Sequence, residues 1–234
     1  MKLLVSVRDV DEALVAAAAG ADFVDLKEPR AGALGALPLA TIAAVVAALR
    51  VRHPDRLVSA TVGDPADAPL ETLLARVAAT AACGIDYVKV GLRPGEHATL
   101  AALAGCRATV VPVFVADQGL DAALIDAACA APFPALMLDT EGKLGSSLLD
   151  RCGDDELLGF IARARAAGKL AGLAGALRAD ELPRLARLAP DFAGFRSAVC
   201  EGGRTGALSA ARLQALRRSL QGLAADAPAP LATA

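Results

Sequence analysis

The chain of 234 residues has no tryptophan, one tyrosine and six phenylalanines. That scarcity excludes the aromatic platforms on which proteins stack unpaired bases. Charge of either sign is balanced: 24 Lys and Arg stand against 26 Asp and Glu, a net of −2 at pH 7. There is no electrostatic footprint for nucleic acid or an anionic membrane, and no partner of either kind is expected. The three arginines between Arg212 and Arg218 fall on an amphipathic spacing and read as a solvated helix face.

Histidine is nearly absent. His53 lies in a loop before the third strand-like run and His97 at the start of a helical one, so neither a multi-His metal centre nor a His-based triad is expected. Cys83, Cys106, Cys129, Cys152 and Cys200 are odd in number and include no C-x-x-C pair, which argues against a disulfide framework or a zinc site. They read as thiols of a reducing compartment. No cofactor is implied. The uncharged stretch from Ala31 to Leu49 has the length of a membrane span, but Gly32, Gly35 and Pro38 interrupt it. Its second half reads as a helix that buries itself. The amino terminus enters a strand-like run without signal-peptide architecture, and the protein is expected to be cytoplasmic.

What the sequence has in plenty is alternation. Short β-rich runs occur at 2–7, 23–27, 57–62, 87–92, 109–115, 135–140, 170–174 and 192–197. Ala- and Leu-rich helical runs follow near 10–19, 38–50, 69–82, 96–104, 121–130, 154–167, 179–188 and 209–222. Strand followed by helix, without hairpins, predicts a parallel sheet, and eight such units fit a (β/α)₈ TIM barrel in a single domain spanning 1–222. The rival open doubly wound sheet, in its dinucleotide-binding form, would need a G-x-G-x-x-G after an early strand, and none is present. The Pro/Ala-rich tail 223–234 lacks a pattern and is expected to be disordered. Ala-rich helix faces make a homo-oligomer an expectation.

Parallel strands are buried on both faces and should be apolar throughout. Several are not. In Phe-Val-Asp-Leu-Lys, Asp25 and Lys27 are two apart and share a face, so Leu26 meets the helices while the charges point into the barrel. The same alternation turns Lys89 and Asp139 inward, with Ser59 and Thr61 from the third strand and Arg196 from the eighth. Most stand towards the carboxyl ends of their strands, where barrel active sites are built. One reading is an ion-pair plug. The other is chemistry: a neutral lysine attacks a carbonyl, a second lysine moves protons, and aspartates orient them. Such a nucleophile must lose a proton it ordinarily holds to about pH 10.4, and burial beside another cation favours that loss. Gly175 after the seventh strand, and Gly202, Gly203 and Arg204 after the eighth, lie where many barrels hold a phosphate, with Arg196 adding charge.

At these residues the chain resembles the (5-formylfuran-3-yl)methyl phosphate synthase family, also called 4-(hydroxymethyl)-2-furancarboxaldehyde-phosphate synthase. The likeness runs through LLVSVRDVDEA, GADFVDLKEPRAGALGA, LVSATVGD, GIDYVKVGL, LMLDTEGK and GFRSAVCEGGR, nearly the whole chain. It implies condensation of two glyceraldehyde 3-phosphate molecules with loss of water and one phosphate, in methanofuran biosynthesis. It further implies Lys27 as the Schiff-base lysine, Lys89 as the proton-transfer lysine, Asp25 and Asp139 as their aspartates, and Lys143 as a further lysine. The segment after Lys143 departs from the family's pattern. Two alternatives stand beside this reading: another Schiff-base aldolase or isomerase of phosphorylated sugars, and a catalytically silent barrel that acts as a binding partner.

Overall fold

The computed structural model describes residues 1–64, 69–142 and 145–225. Eight parallel strands close into one barrel in chain order: β1 (Lys2–Val7), β2 (Phe23–Leu26), β3 (Leu57–Thr61), β4 (Tyr87–Leu92), β5 (Val110–Val115), β6 (Ala135–Asp139), β7 (Leu170–Leu173) and β8 (Phe192–Phe195). Around it lie α1 (Val10–Ala18), α2 (Leu39–Arg52), α3 (Leu70–Ala81), α4 (His97–Ala104), α5 (Ala122–Ala130), a short α6 (Leu148–Arg151), α7 (Asp154–Ala166), α8 (Leu182–Leu188) and α9 (Ala210–Ala225). The fold is a single-domain TIM barrel.

Local signals set the boundaries. Asp9 caps α1 by accepting the Glu12 N–H at 2.9 Å, and Gly20, Gly84 and Gly168 follow their helices with positive φ. Gly153 occupies the cap of α7, and Asp154 and Asp155 open the helix in its first turn. Three departures from the sequence reading have physical causes. First, α6 is held by a capping box between Ser147 and Asp150, too short to leave a periodic pattern. Second, the expected start of α8 is a 3₁₀ turn, Ala179–Glu181, and the α-helix begins one residue before Pro183. Third, α9 continues through Ala225, past Gly222, so the expected tail starts helically, and residues 226–234 lie outside those described.

Two apolar layers result. Between barrel and helices lie Leu26, Val88 and Val90 with the inner faces of the helices, including Ile42, Val45 and Leu49 of α2. That packing accounts for the uncharged stretch, and among the described residues no helix is long and apolar enough to cross a membrane. Inside the barrel lie Leu4, Phe23, Val111, Val113, Met137 and Phe192. The Phe23 ring meets Tyr87 at 6.5 Å and Phe192 at 5.5 Å between centroids. Pleat geometry then raises Asp25 above Phe23, Lys89 above Tyr87 and Asp139 above Met137, each two residues further along its strand. The barrel thus has an apolar floor and a charged storey over it. Ala33 and Leu34, from the loop after β2, join the interior layer. Leu34 occupies space that Gly91 leaves open: a Cβ on Gly91 would stand 2.2 Å from its Cδ1.

Gly172 on β7 pairs with Phe192 on β8, and a Cβ there would stand 2.1 Å from the Phe192 ring, itself held by Phe23. Gly172→Ala is therefore expected to destabilise the barrel by about 1–3 kcal/mol through overpacking. Urea denaturation checks this, and an unchanged midpoint would mean that the ring has room to move.

Candidate active site

The site is built at the carboxyl ends of the strands. Asp25 is fully buried on β2, and three donors converge on it. Ser59 Oγ donates to Oδ1 at 2.6 Å, while Ser6 Oγ at 3.1 Å and Lys89 Nζ at 3.0 Å donate to Oδ2. Burial opposes ionisation of Asp25 most strongly. The charges of Lys89 and Lys27 and the hydrogen bonds from Ser59 and Lys89 outweigh it, holding the carboxyl below its ordinary range. Lys27 follows β2 directly, and its N–H donates to Val7 O at 3.0 Å, which keeps its side chain in the pleat. Its Nζ lies 3.6 Å from Asp139 Oδ2, and Asp139 Oδ1 accepts the Thr140 N–H at 2.7 Å. Two lysine–aspartate pairs, drawn from β2 and the residue after it, β4 and β6, therefore stand side by side in one pocket. Ser6, Lys27, Lys89, Asp139, Gly175 and Arg204 are among its lining residues.

The other expected site residues divide. Ser59 and Thr61 do point inward but do not line this pocket. Ser59 serves Asp25 from below, and Thr61 Oγ1 donates to Gly35 O at 2.7 Å, anchoring the loop that follows Lys27. Gly175 lines the pocket at φ +106°, and a Cβ on it would lie 2.8 Å from Thr140 Oγ1, so glycine is required by both conformation and space. Gly202 and Gly203 turn the loop after β8 with positive φ, away from the pocket lining. Lys143 lies outside the described residues.

Arg196 departs most from expectation. It borders the pocket, but all five guanidinium donors are spent: on both Glu12 oxygens (2.5 and 3.0 Å) and on the carbonyls of Ser6, Arg204 and Gly206. It ties β1, α1 and the β8 loop together, leaving no donor for a phosphate without breaking that clasp. Glu12, from α1, was invisible as its partner in the sequence. Burial pushes Glu12 up, but the hydrogen bonds and charges of Arg196 and Arg8 win and hold its carboxyl below the usual range. The clasp supports Arg204, whose carbonyl accepts from Arg196. The Arg204 guanidinium donates to Pro29 O and, at 2.8 Å, to Gly32 O. Arg204 thus bridges the β8 loop to the loop after Lys27 across the pocket mouth. The two buried thiols are not poised for attack: burial pushes Cys200 up, and burial together with Glu156 raises Cys152 to about 11.

The family model described as 4-HFC-P synthase matches residues 3–217. The chain belongs to that family. A Methanocaldococcus jannaschii protein named (5-formylfuran-3-yl)methyl phosphate synthase is 33% identical over 233 residues, covering 87% of this chain and 92% of its own. The Methanosarcina mazei protein of the same name is 35% identical over 221 residues (88% and 93%). A Methylorubrum extorquens protein, given that name provisionally, is 40% identical over 229 residues (97% and 94%). Membership in this synthase family makes the chain an enzyme. Among solved structures, phosphoribosyl anthranilate isomerase from Thermotoga maritima aligns with a TM-score of 0.67 at 15% identity, over 95% of this chain and 99% of that one. The 3-hexulose-6-phosphate synthase from Salmonella typhimurium gives 0.60 at 18% (94% and 100%). At these identities the likeness is one of fold.

The depressed carboxyls of the two buried networks, Glu12 and Asp25, carry a pH signature beside those of the more exposed Asp121, Asp150 and Asp191. Unfolded carboxyls titrate near pH 4, and Glu12 and Asp25 ionise below that in the folded protein. Their stabilisation is full above the unfolded value and is lost as pH falls through the folded ones. Glu12→Gln, which leaves Arg196 buried beside a neutral partner, is expected to cost about 3–5 kcal/mol at pH 7 and to flatten the acid limb of stability against pH. Equilibrium unfolding from about pH 7 downwards checks both, and an acid limb as steep as the parent's would place the acid sensitivity elsewhere.

Proposed function

We propose that the enzyme condenses two molecules of glyceraldehyde 3-phosphate into (5-formylfuran-3-yl)methyl phosphate through a Schiff base on Lys27, in a methanofuran-type pathway. The observation that carries this reading is the paired burial of Lys27 with Asp139 and Lys89 with Asp25 at the barrel mouth. Holding two lysines in the barrel interior is costly, because each must be desolvated and compensated, and chemistry at the site accounts for that cost. Two triose phosphates joined to a six-carbon furan monophosphate must release one phosphate and two waters for the atoms to balance.

The chain's own groups suit the steps. Neutral Lys27 adds to the aldehyde of one triose and expels water, and the protonated imine withdraws electrons from the adjacent carbon. Lys89 takes the proton from that carbon, and Asp25 holds the resulting ammonium in place. The enamine carbon attacks the aldehyde of the second triose. Loss of phosphate and two waters, driven by aromatisation, completes the furan, and hydrolysis of the imine, which takes back the water lost when it formed, frees Lys27. Asp139 offsets charge on the imine nitrogen, its carboxylate being within 4 Å of Lys27 Nζ. Gly175, which opens the backbone at the pocket wall, and Arg204, the cation at its mouth, are suited to the phosphate side. The depressed Arg204 guanidinium reflects its burial, against which Asp139 acts.

Incubation with glyceraldehyde 3-phosphate is expected to produce an ultraviolet-absorbing furan and inorganic phosphate, and borohydride is expected to trap the triose on Lys27. Lys27→Arg should abolish both. Lys89→Met should retain trapping while furan formation falls by about 10²–10⁴-fold. Trapping without a furan from the parent enzyme would point to a different Schiff-base aldolase, and neither trapping nor product from folded protein would overturn the reading.

A further inference from the structure

Two serines donate to Asp25, and they are not equivalent. Ser59 lies beneath the carboxylate and does not line the pocket, whereas Ser6, inward-facing on β1, does. The β1–β2 register pairs Ser6 with Asp25, so Lys27, two residues further on and held by its N–H to Val7 O, stands on the same inward face one step nearer the mouth. An ionised carboxylate accepts only, so the Ser6 hydrogen is committed to Asp25 Oδ2. Ser6 Oγ therefore turns its remaining acceptor capacity to the pocket, polarised by a buried charge behind it. The Ser6 backbone is fixed as well: its carbonyl accepts from Arg196 at 3.0 Å. A rigid acceptor beside the nucleophile needs a donor on the ligand. In a triose joined to Lys27 through its C1, the hydroxyl one bond away, on C2, is that donor.

We infer that Ser6 is a substrate-contacting residue that reads the C2 hydroxyl of the triose bound to Lys27, selecting 2-hydroxyaldehydes and turning the C2–H towards Lys89. The inference rests on the Schiff-base reading and adds a specificity determinant to it. Ser6 acts on substrate directly and Ser59 acts only through Asp25, and this difference separates contact with the ligand from mere support of the carboxylate.

The test uses two phosphonate probes that cannot lose their phosphorus group, 2-hydroxy-4-phosphonobutanal and 4-phosphonobutanal, which differ by the hydroxyl alone. Each is trapped on the full-length enzyme with borohydride, and labelling of Lys27 is followed against probe concentration by peptide mass spectrometry. The parent enzyme is expected to reach half-maximal labelling at about tenfold lower concentration of the hydroxylated probe, the size of one hydrogen bond in a partly dry site. Ser6→Ala should bring the two probes together, Ser6→Thr should restore the difference, and Ser59→Ala should leave it intact even where overall labelling falls. Equal loss for both probes in Ser6→Ala, with the difference preserved, would overturn the inference and leave Ser6 a support for Asp25. A parent that fails to label Lys27 with either probe, though folded, would overturn the Schiff-base reading and the inference with it. If Ser6→Ala does not fold, Ser6→Cys, which keeps the volume and weakens the acceptor, is expected to narrow the difference, and an unchanged difference would again overturn the inference.

Discussion

Two lysines and two aspartates are desolvated inside the barrel above an apolar floor, and the surrounding structure is arranged to meet their charges. Such groups are tolerable only when every charge is met. Asp25 is met three times, by Ser6, Ser59 and Lys89, and Lys27 is met by Asp139. The remaining architecture serves that arrangement. The aromatic floor of Phe23, Tyr87 and Phe192 closes the barrel below, so the charges feel a low dielectric and their mutual interactions are strong.

A second buried network carries the mouth. Glu12 and Arg196 join the first helix to the last strand, and through the Arg204 carbonyl they brace the arginine that reaches across to Pro29 and Gly32. The loop so pinned begins one residue after Lys27. Thr61 fixes its far end through Gly35, and Leu34 fills the space over Gly91. The surroundings of Lys27 are thus set from three directions, the preorganisation that the proposed chemistry requires.

Much of this was legible in the sequence because a strand's period is two and a buried parallel strand should be apolar. Asp25, Lys27, Lys89 and Asp139 broke that rule, and the pleat alone faced them inward. The strand bounds of β1 and β4 were readable for the same reason. Ser6 was within reach of identical logic, as a polar inward residue near the end of β1. The Glu12–Arg196 clasp was not, since its partners are 184 residues apart and one lies on a helix, where an acid in the first turn has an ordinary explanation. Arg196 therefore read as a free cation for ligand. Leu34 and α6 sit in loops, where neither period applies. Gly202 and Gly203 show the converse: a glycine pair in the right loop marked a turn rather than the pocket wall.

Under the proposed function the buried pairs exist for chemistry rather than for holding the barrel shut. Removing both charges of one pair, in Lys89→Met combined with Asp25→Asn, separates the two roles. The measurement is stability by denaturant unfolding beside furan formation from glyceraldehyde 3-phosphate. The double variant is expected to be about as stable as the parent, because desolvation offsets the attraction between the charges, with furan formation lost. A double variant that loses several kcal/mol of stability would contradict this and make the pair a structural plug.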